Sequence, residues 1–534
     1  MRGPADTPQL ARPHCSPLRY RESPVINQLD SSVGEKAGAR PWWRAAVLPL
    51  LLAALAGQFA LVQLATGVQF GDAPRNLHWG LLVWEQPGFL VGGLDSYERI
   101  KGFPPVPDDL APRRLWANSY GGMHPWWGPV TPLLFAGVWG LTRSYTLLQL
   151  IIPLAAGATV LLTYGVGRRL IGPGPALTAA LFLSCYPLFR EYGTVSYNET
   201  LGALLLSAAL FAYGGGRTAA AVALGTLAAL TKMDLFVLYV GTVGVCMLFD
   251  RTGRRELAWR HHLIALLGPL LLASPWVWLH YLGAGESGPT QPLSPQLFTI
   301  IFPMLIEQTF AIPWYGALLT LGVIGAVVAW GLRARAVSPL AAVLLGSWLG
   351  LALLVTLIYC ATPGAGNSPR VFIPALPALA LLFGAGFGQL GVAWRRRSGF
   401  FLAVLFALVN GVMIWYNLGM YGAPIRAAAP AFAELRGREQ GFVLTPLYWE
   451  TILFTRQPAT WFEGDPLFQE RVMTDPPTLA RYLAAHPIRY VLLPAVGVTM
   501  GRSPTDPAPP DVRAYLDANA QRLDLGLYTL WVLE

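Results

Sequence analysis

Charge is scarce in this chain. Only 13% of its 534 residues are Asp, Glu, Lys or Arg, whereas 54% are hydrophobic, more apolar surface than one soluble core can bury, so lipid must solvate much of it. Lysine occurs at Lys36, Lys101 and Lys232 alone, and the rest of the positive charge is arginine. The four cysteines, Cys15, Cys185, Cys246 and Cys360, lack metal-ligand spacing and imply no disulfide framework. There is no internal repeat of fixed period. A cleavable signal peptide is not expected, because about 40 polar residues precede the first apolar run.

What is present is a series of apolar runs. Ala45 to Thr66 reaches the roughly 20 residues needed to cross about 30 Å of hydrocarbon, and more runs follow. The net charge of +9 does not point to nucleic acid, because its basic residues cluster at the ends of these runs. Placing Arg40/Arg44, Arg168/Arg169, Arg217, Arg251 to Arg260, Arg333/Arg335 and Arg395 to Arg397 on the cytoplasmic side predicts spans near 45–67, 145–166, 174–191, 197–213, 217–232, 234–250, 262–282, 312–332, 339–360, 371–393 and 400–420. The fold class expected is thus a polytopic α-helical membrane protein of about 11 spans, with the N-terminus cytoplasmic and the C-terminus outside.

One apolar stretch breaks the alternation. Counting His124 to Leu141 as a span would invert every later basic cluster, so it reads as a juxtamembrane helix in the outer interface, with Trp126, Trp127 and Trp139 at headgroup depth. Residues 1–44 read as a disordered cytoplasmic tail, 68–127 as a large external loop, and 421–534 as a small extracytoplasmic α/β domain. In that last region GFVLTP, RYVLLPAV and LYTLWVLE look like strands, while PPTLARYLAAHP and PPDVRAYLDANAQRL look helical.

Ionisable residues gather where the predicted spans meet the outer face: Asp72 and Arg75 after the first span, His124, Glu199, Lys232 with Asp234, Glu307 and Arg370. Charge at membrane depth is costly unless paired or hydrated, which makes each a functional candidate. The plain alternatives are a solvated loop acid, a snorkelling Lys232 paired with Asp234, and an interfacial anchor at Arg370. Convergence on one face favours chemistry, because snorkelling would populate both.

These segments resemble a family. GDAPRNLHWGLLVWEQ, HPWWGPVTPLLFAGVWGL, GTVSYNETLGALLLSA, LAALTKMD and PRVFIPALPALALL, with IPWYGALL as a looser match, occur in the order found in integral-membrane glycosyltransferases of the C structural class. The nearest branch is that of the protein O-mannosyltransferases and the lipid A aminoarabinose transferases. The likeness covers about residues 45–420. Ala73 stands where the family has a second acid, Trp126 replaces a proline, and the stretch between Glu85 and His124 is longer than in the shortest members.

The resemblance implies an inverting transfer of a sugar from a polyprenyl-phosphate donor to an acceptor hydroxyl on the outer face of the plasma membrane. Asp72 would be the base, with Asp95 or Glu98 next in line, and Glu199 a second catalytic residue. Lys232, Arg370, Arg75 and His124 would hold the donor phosphate. Glu199, with His124 or Glu307, could instead hold a divalent cation, the one cofactor the reading allows, or position Arg75. A transporter or flippase of a lipid-linked solute and a non-catalytic scaffold are the other classes. A transporter would place its charges at midplane rather than at one face.

Overall fold

The computed structural model describes residues 72–85, 87, 128–252, 257–278, 314–361, 369–389, 408, 423–461, 466–495, 498–500, 503–505 and 508–533. The expected tail, the span 45–67, nearly all of the span 400–420 and the candidates His124, Glu307, Asp95 and Glu98 lie outside the described residues.

The membrane part is an all-helical bundle. In chain order its helices are α1 (Asp72–Glu85), α2 (Val130–Thr142), α3 (Tyr145–Leu170), α4 (Pro173–Cys185), α5 (Pro187–Tyr192), α6 (Asn198–Gly214), α7 (Thr218–Ala229), α8 (Met233–Thr252), α9 (Trp259–Trp276), α10 (Trp314–Arg333), α11 (Pro339–Ala361) and α12 (Leu376–Gly388), the last preceded by a 3-10 turn, Pro369–Ala375. Among the described residues five segments are long and apolar enough to cross a membrane: Tyr145–Leu170, Met233–Asp250, Gly316–Arg333, Pro339–Ile358 and Arg370–Gly388. Leu154, Leu271, Leu319 and Leu354 are exposed on these helices and on α9, as a lipid-facing surface requires. Arg370–Gly388, by contrast, is enclosed by its neighbours, packing against α3, α4, α10 and α11.

Helix ends follow local chemistry. The stretch 174–191, expected as one span, divides because Pro187 pushes Tyr186 into an extended conformation (φ −65°, ψ 118°), so α4 stops at Cys185 and α5 starts afresh. Helix α2 has 13 residues, about 20 Å at 1.5 Å per residue, and lies along α1. Gly80 lets the two approach, since a Cβ there would strike Phe135 Cβ.

At one end of the bundle α6, α8 and α9 are tied by a buried polar relay. His262 bridges Tyr213 Oη (2.7 Å) and Asp250 Oδ2 (2.9 Å), and the Leu257 amide donates to the same carboxylate at 3.0 Å. Arg168 and Arg169 close α3 in its last turn, where cations suit the helix dipole. Tyr213 stands at the end of α6 opposite Glu199, so relay and Glu199 are separated by 14 residues of helix, about 21 Å.

The C-terminal region is a three-layer α/β unit. Its five-stranded sheet has the order β2-β1-β3-β7-β6, with strands β1 (Phe442–Leu444), β2 (Ala459–Thr460), β3 (Ile488–Pro494), β6 (Ala520–Leu525) and β7 (Tyr528–Leu533). Strand β1 pairs in parallel with β2 and β3; β7 pairs antiparallel with β3 and β6. A separate hairpin joins β4 (Val498–Met500) and β5 (Ser503–Thr505). Strand β3 is apolar on both faces because helices cover both. Tyr490 and Leu492 pack with α14 (Ala429–Arg436), which follows the short α13 (Ala423–Ala427), and with α15 (Tyr448–Thr455). Val491 and Leu493 pack with α16 (Pro466–Thr474), α17 (Pro476–Ala485) and α18 (Pro510–Asn519).

The expected strands are β1, β3 and β7, but the helix expected to continue through Leu523 ends at Asn519. Residues from Ala520 form an edge strand, half-exposed, turned back onto β7 by Gly526 at φ 78°.

Candidate active site

The site forms where α6 begins, α7 hands over to α8, and the 3-10 turn leads into α12. Glu199, in the first turn of α6, is 3% exposed; Lys232, in the α7–α8 turn, is 4% exposed. Lys232 Nζ donates to Glu199 Oε1 at 2.9 Å and lies 3.3 Å from Asp234 Oδ2. Arg370 approaches from the 3-10 turn, its Nε 3.3 Å from the same Glu199 oxygen. Two cations and two carboxylates therefore meet below the surface, and their formal charges cancel.

The side chain of Asp72 is not among those described, but its helix is anchored against this group. The next residue, Ala73, packs with Val195 and Tyr197, and one turn on Asn76 Nδ2 donates to Ser196 O at 2.7 Å. The ring of Tyr197 in turn lies under Arg370, with the guanidinium carbon 5.1 Å from its centroid. The loop before Glu199 thus joins the first turn of α1 to the ion cluster. Asp72 and Pro74 suit a helix N-terminus, the acid for its charge and the proline for its fixed φ.

A second brace comes from the start of α2. The amides of Gly128 and Val130 donate to Thr231 O (3.0 Å) and Leu230 O (3.2 Å), immediately before Lys232. Only glycine fits at 128, because a Cβ would land on the Leu230 carbonyl.

Arg75, expected at the donor phosphate, has its guanidinium carbon 5.1 Å from the ring centroids of both Trp79 and Trp449, and is itself buried. His78, one turn further, has its pKa pushed down to about 3, by burial first and by the Arg456 cation second. The imidazole is therefore neutral at pH 7. Among the described residues no group of three His, Cys, Asp or Glu side chains has the arrangement of a metal site.

The structure thus brings Glu199, Lys232 and Arg370 into one cluster, with Asp234 as a fourth member, and sets the Asp72 helix against it; Arg75 turns toward two tryptophans. Sequence reasoning passed over Asn76, Tyr197 and Gly128. It also passed over Arg190, a cation only 1% exposed on α5, which packs against the turn that carries Arg370. Their only signal was proximity to the recognised segments. Trp449 gave none, since it lies 374 positions from Arg75 (449 − 75) in a region read as a separate domain.

The comparisons with known proteins fit this architecture. Residues 124–279, from the approach to α2 to just past α9, match the family model described as dolichyl-phosphate-mannose-protein mannosyltransferase. That stretch includes Glu199, Lys232 and Asp234 but not Asp72 or Arg370. The fold resembles apo ArnT from Cupriavidus metallidurans with a TM-score of 0.60 at 14% identity, covering 91% of this chain and 98% of that one. The undecaprenyl phosphate-bound form of ArnT gives 0.57 at 14% identity and the same coverage. Arabinofuranosyltransferase AftD from Mycobacteria gives 0.50 at 15% identity, covering 91% of this chain and 40% of that one. No curated protein matches the chain by sequence. The fold is thus that of these membrane glycosyltransferase structures, and residues 124–279 carry the likeness to the mannosyltransferase family model.

Proposed function

We propose that the protein transfers a sugar from a polyprenyl-phosphate donor to an acceptor hydroxyl at the outer face of the plasma membrane, with inversion at the anomeric carbon. The observation that carries this reading is the buried Glu199–Lys232–Arg370 cluster, set against the helix that begins with Asp72. A phosphate leaving group needs positive charge rather than a proton, and a guanidinium with five N–H donors beside an ammonium with three can meet its oxygens while still facing Glu199. ArnT in its lipid-bound form carries undecaprenyl phosphate, and this chain shares its fold.

Asp72 then takes the acceptor proton as the hydroxyl oxygen attacks the anomeric carbon; the bond to the donor phosphate breaks and the polyprenyl phosphate departs with the electron pair. Glu199 holds Lys232 and Arg370 in register until the donor phosphate arrives. A divalent cation is the alternative partner for Glu199, together with His124 or Glu307. Residues 421–534 form the extracytoplasmic domain and 124–141 the interfacial helix of this reading.

The test is transfer in vitro by the purified protein from synthetic polyprenyl-phosphate sugars, with donors chosen from the lipid-linked sugar that accumulates in a deletion strain. Transfer by wild type supports the reading. An unchanged lipid-linked sugar pool and no transfer from any donor would return the chain to the transporter or scaffold class.

A further inference from the structure

Helix α15 belongs to two cores at once. Trp449 and Ile452 pack into the C-terminal domain against Tyr490 and Leu530. Leu453, fully buried, packs instead into the membrane part, with Leu77 and Leu81 of α1 and Phe135 of α2. Three contacts run along α1 and α15 in step. Trp449 lies under the guanidinium of Arg75, Leu453 meets Leu77 and Leu81, and Arg456, just past the end of α15, pairs with Glu85 through Nη2 and Oε1 at 3.1 Å. Arg456 Nη1 also reaches His78 Nδ1, at 3.5 Å. The C-terminal domain therefore grips the α1 helix along its whole length.

That grip has a chemical consequence at the other side of α1. The first turn of α1 is fixed from one side by Ala73 on Tyr197 and Asn76 on Ser196, and from the other by Arg75 under Trp449. A helix that presents a base must hold it to within about 0.5 Å of its productive position. The loop contacts at Ala73 and Asn76 and the packing of α2 at Gly80 leave the face of α1 that carries Arg75, His78 and Glu85 unbraced. Stacking and ion pairing on that face remove the remaining freedom to tilt. Arg456 is well suited to such a task, because its backbone is left-handed (φ 64°), which ends α15 and turns its side chain toward α1.

We propose that the C-terminal domain is a positioning element for the Asp72-bearing helix, with Trp449 and Arg456 as the positioning residues. The proposal rests on the transferase reading for its catalytic meaning, but the clamp itself is a structural claim that can be measured without a sugar donor.

The experiment is hydrogen–deuterium exchange over residues 72–85 in the full-length protein in detergent, with wild type, Arg456→Glu, Glu85→Arg, the double charge swap, Trp449→Leu and Trp449→Phe. Each single charge reversal sets like charges opposite one another at a half-exposed pair and should raise exchange in 72–85 roughly threefold to tenfold, and the swap should bring it back. Trp449→Leu should raise exchange in the same segment, while Trp449→Phe, which keeps an aromatic face under Arg75, should stay near wild type. Unchanged exchange in the charge reversals, or a rise that the swap does not reverse, overturns the clamp. Where wild type transfers sugar, the clamp also requires that Arg456→Glu lower kcat with donor KM within about twofold, and that the swap restore kcat; equal kcat in all variants overturns the positioning role. A wild type inactive with every donor would defeat the transferase reading instead, and exchange would still decide the clamp.

Discussion

Lys232 and Arg370 converge on a single oxygen, Glu199 Oε1, at 2.9 and 3.3 Å. This arrangement separates two roles that substitution of one residue would confuse, holding the fold and holding an anion. Lys232→Ala should do both kinds of damage. It leaves Glu199 and Asp234 buried with one cation fewer, which costs about 3–5 kcal/mol when a buried pair is broken. On the proposed function it should also weaken binding of a polyprenyl phosphate, with undecaprenyl phosphate as the probe, roughly tenfold to a hundredfold through the lost charge-assisted contact. Lys232→Met combined with Asp234→Asn should recover part of the stability, since Glu199 keeps Arg370 and the second carboxylate that faced the lost ammonium is gone, without recovering binding. Thermal unfolding and lipid binding in detergent would separate the two, and wild-type lipid affinity in the double variant would remove Lys232 from the phosphate site.

The charge-based topology makes an independent demand. Arg169 closes α3 at the end of the bundle away from Glu199, and Arg522 is exposed on the edge strand of the C-terminal sheet. In a background with Cys15, Cys185, Cys246 and Cys360 replaced, Arg522→Cys in intact cells should react with an impermeant maleimide and Arg169→Cys should not. Labelling at 169 but not at 522 would invert the orientation and move the whole site to the cytoplasmic face.

Lys232 was legible in the sequence because lysine is so rare here, and Glu199 and Arg370 because their segments resemble known ones. Their meeting on one oxygen was not legible. Glu199 and Lys232 are 33 positions apart, and Arg370 lies another 138 along (370 − 232), so only helix packing sets which of them touch. The break at Tyr186 could be read from Pro187 once the rule for the residue before proline is applied. Strand β6 could not be so read: with Arg522 and Asp524 exposed and only one partner strand, an edge strand has no strong apolar alternation to announce it. The grip of α15 on α1 was hidden for a similar reason, since Leu453 and Ile452 are equally apolar and nothing local says that they serve different cores.

Glu450 offers a test of the C-terminal domain by pH. It sits on α15, 4% exposed, with Tyr528 of β7 near it, and burial pushes its pKa from the usual 4.5 up to about 8. The folded state therefore keeps the proton that the unfolded chain has given up, so stability falls as pH rises from about 4.5 to about 8 and levels off above. Glu450→Gln removes that dependence. The variant should match wild type near pH 4.5 and gain on the order of a few kcal/mol by pH 8, seen as a higher unfolding temperature of the full-length protein. Equal pH profiles for the two proteins would show that Glu450 is ionised in the fold.

Asp72→Asn tests the chemistry most directly. Asparagine keeps the size and polarity of the carboxylate and can still sit in the first turn of α1, so the contacts of Ala73 with Tyr197 and of Asn76 with Ser196 should persist. It cannot accept the acceptor's proton. Loss should therefore fall on turnover, roughly 10²- to 10⁴-fold, with undecaprenyl phosphate binding and unfolding temperature near wild type. Glu199→Gln should lower turnover by another route, by loosening Lys232 and Arg370, and so should weaken lipid binding as well; if Glu199 holds a divalent cation, the same variant should alter the response to chelator. Near-full turnover in Asp72→Asn would pass the role of base to another loop acid, with Asp95 and Glu98 the next to substitute, and only retained transfer after substitution of Glu85, Asp108 and Asp109 as well would place the base outside the segment 68–127.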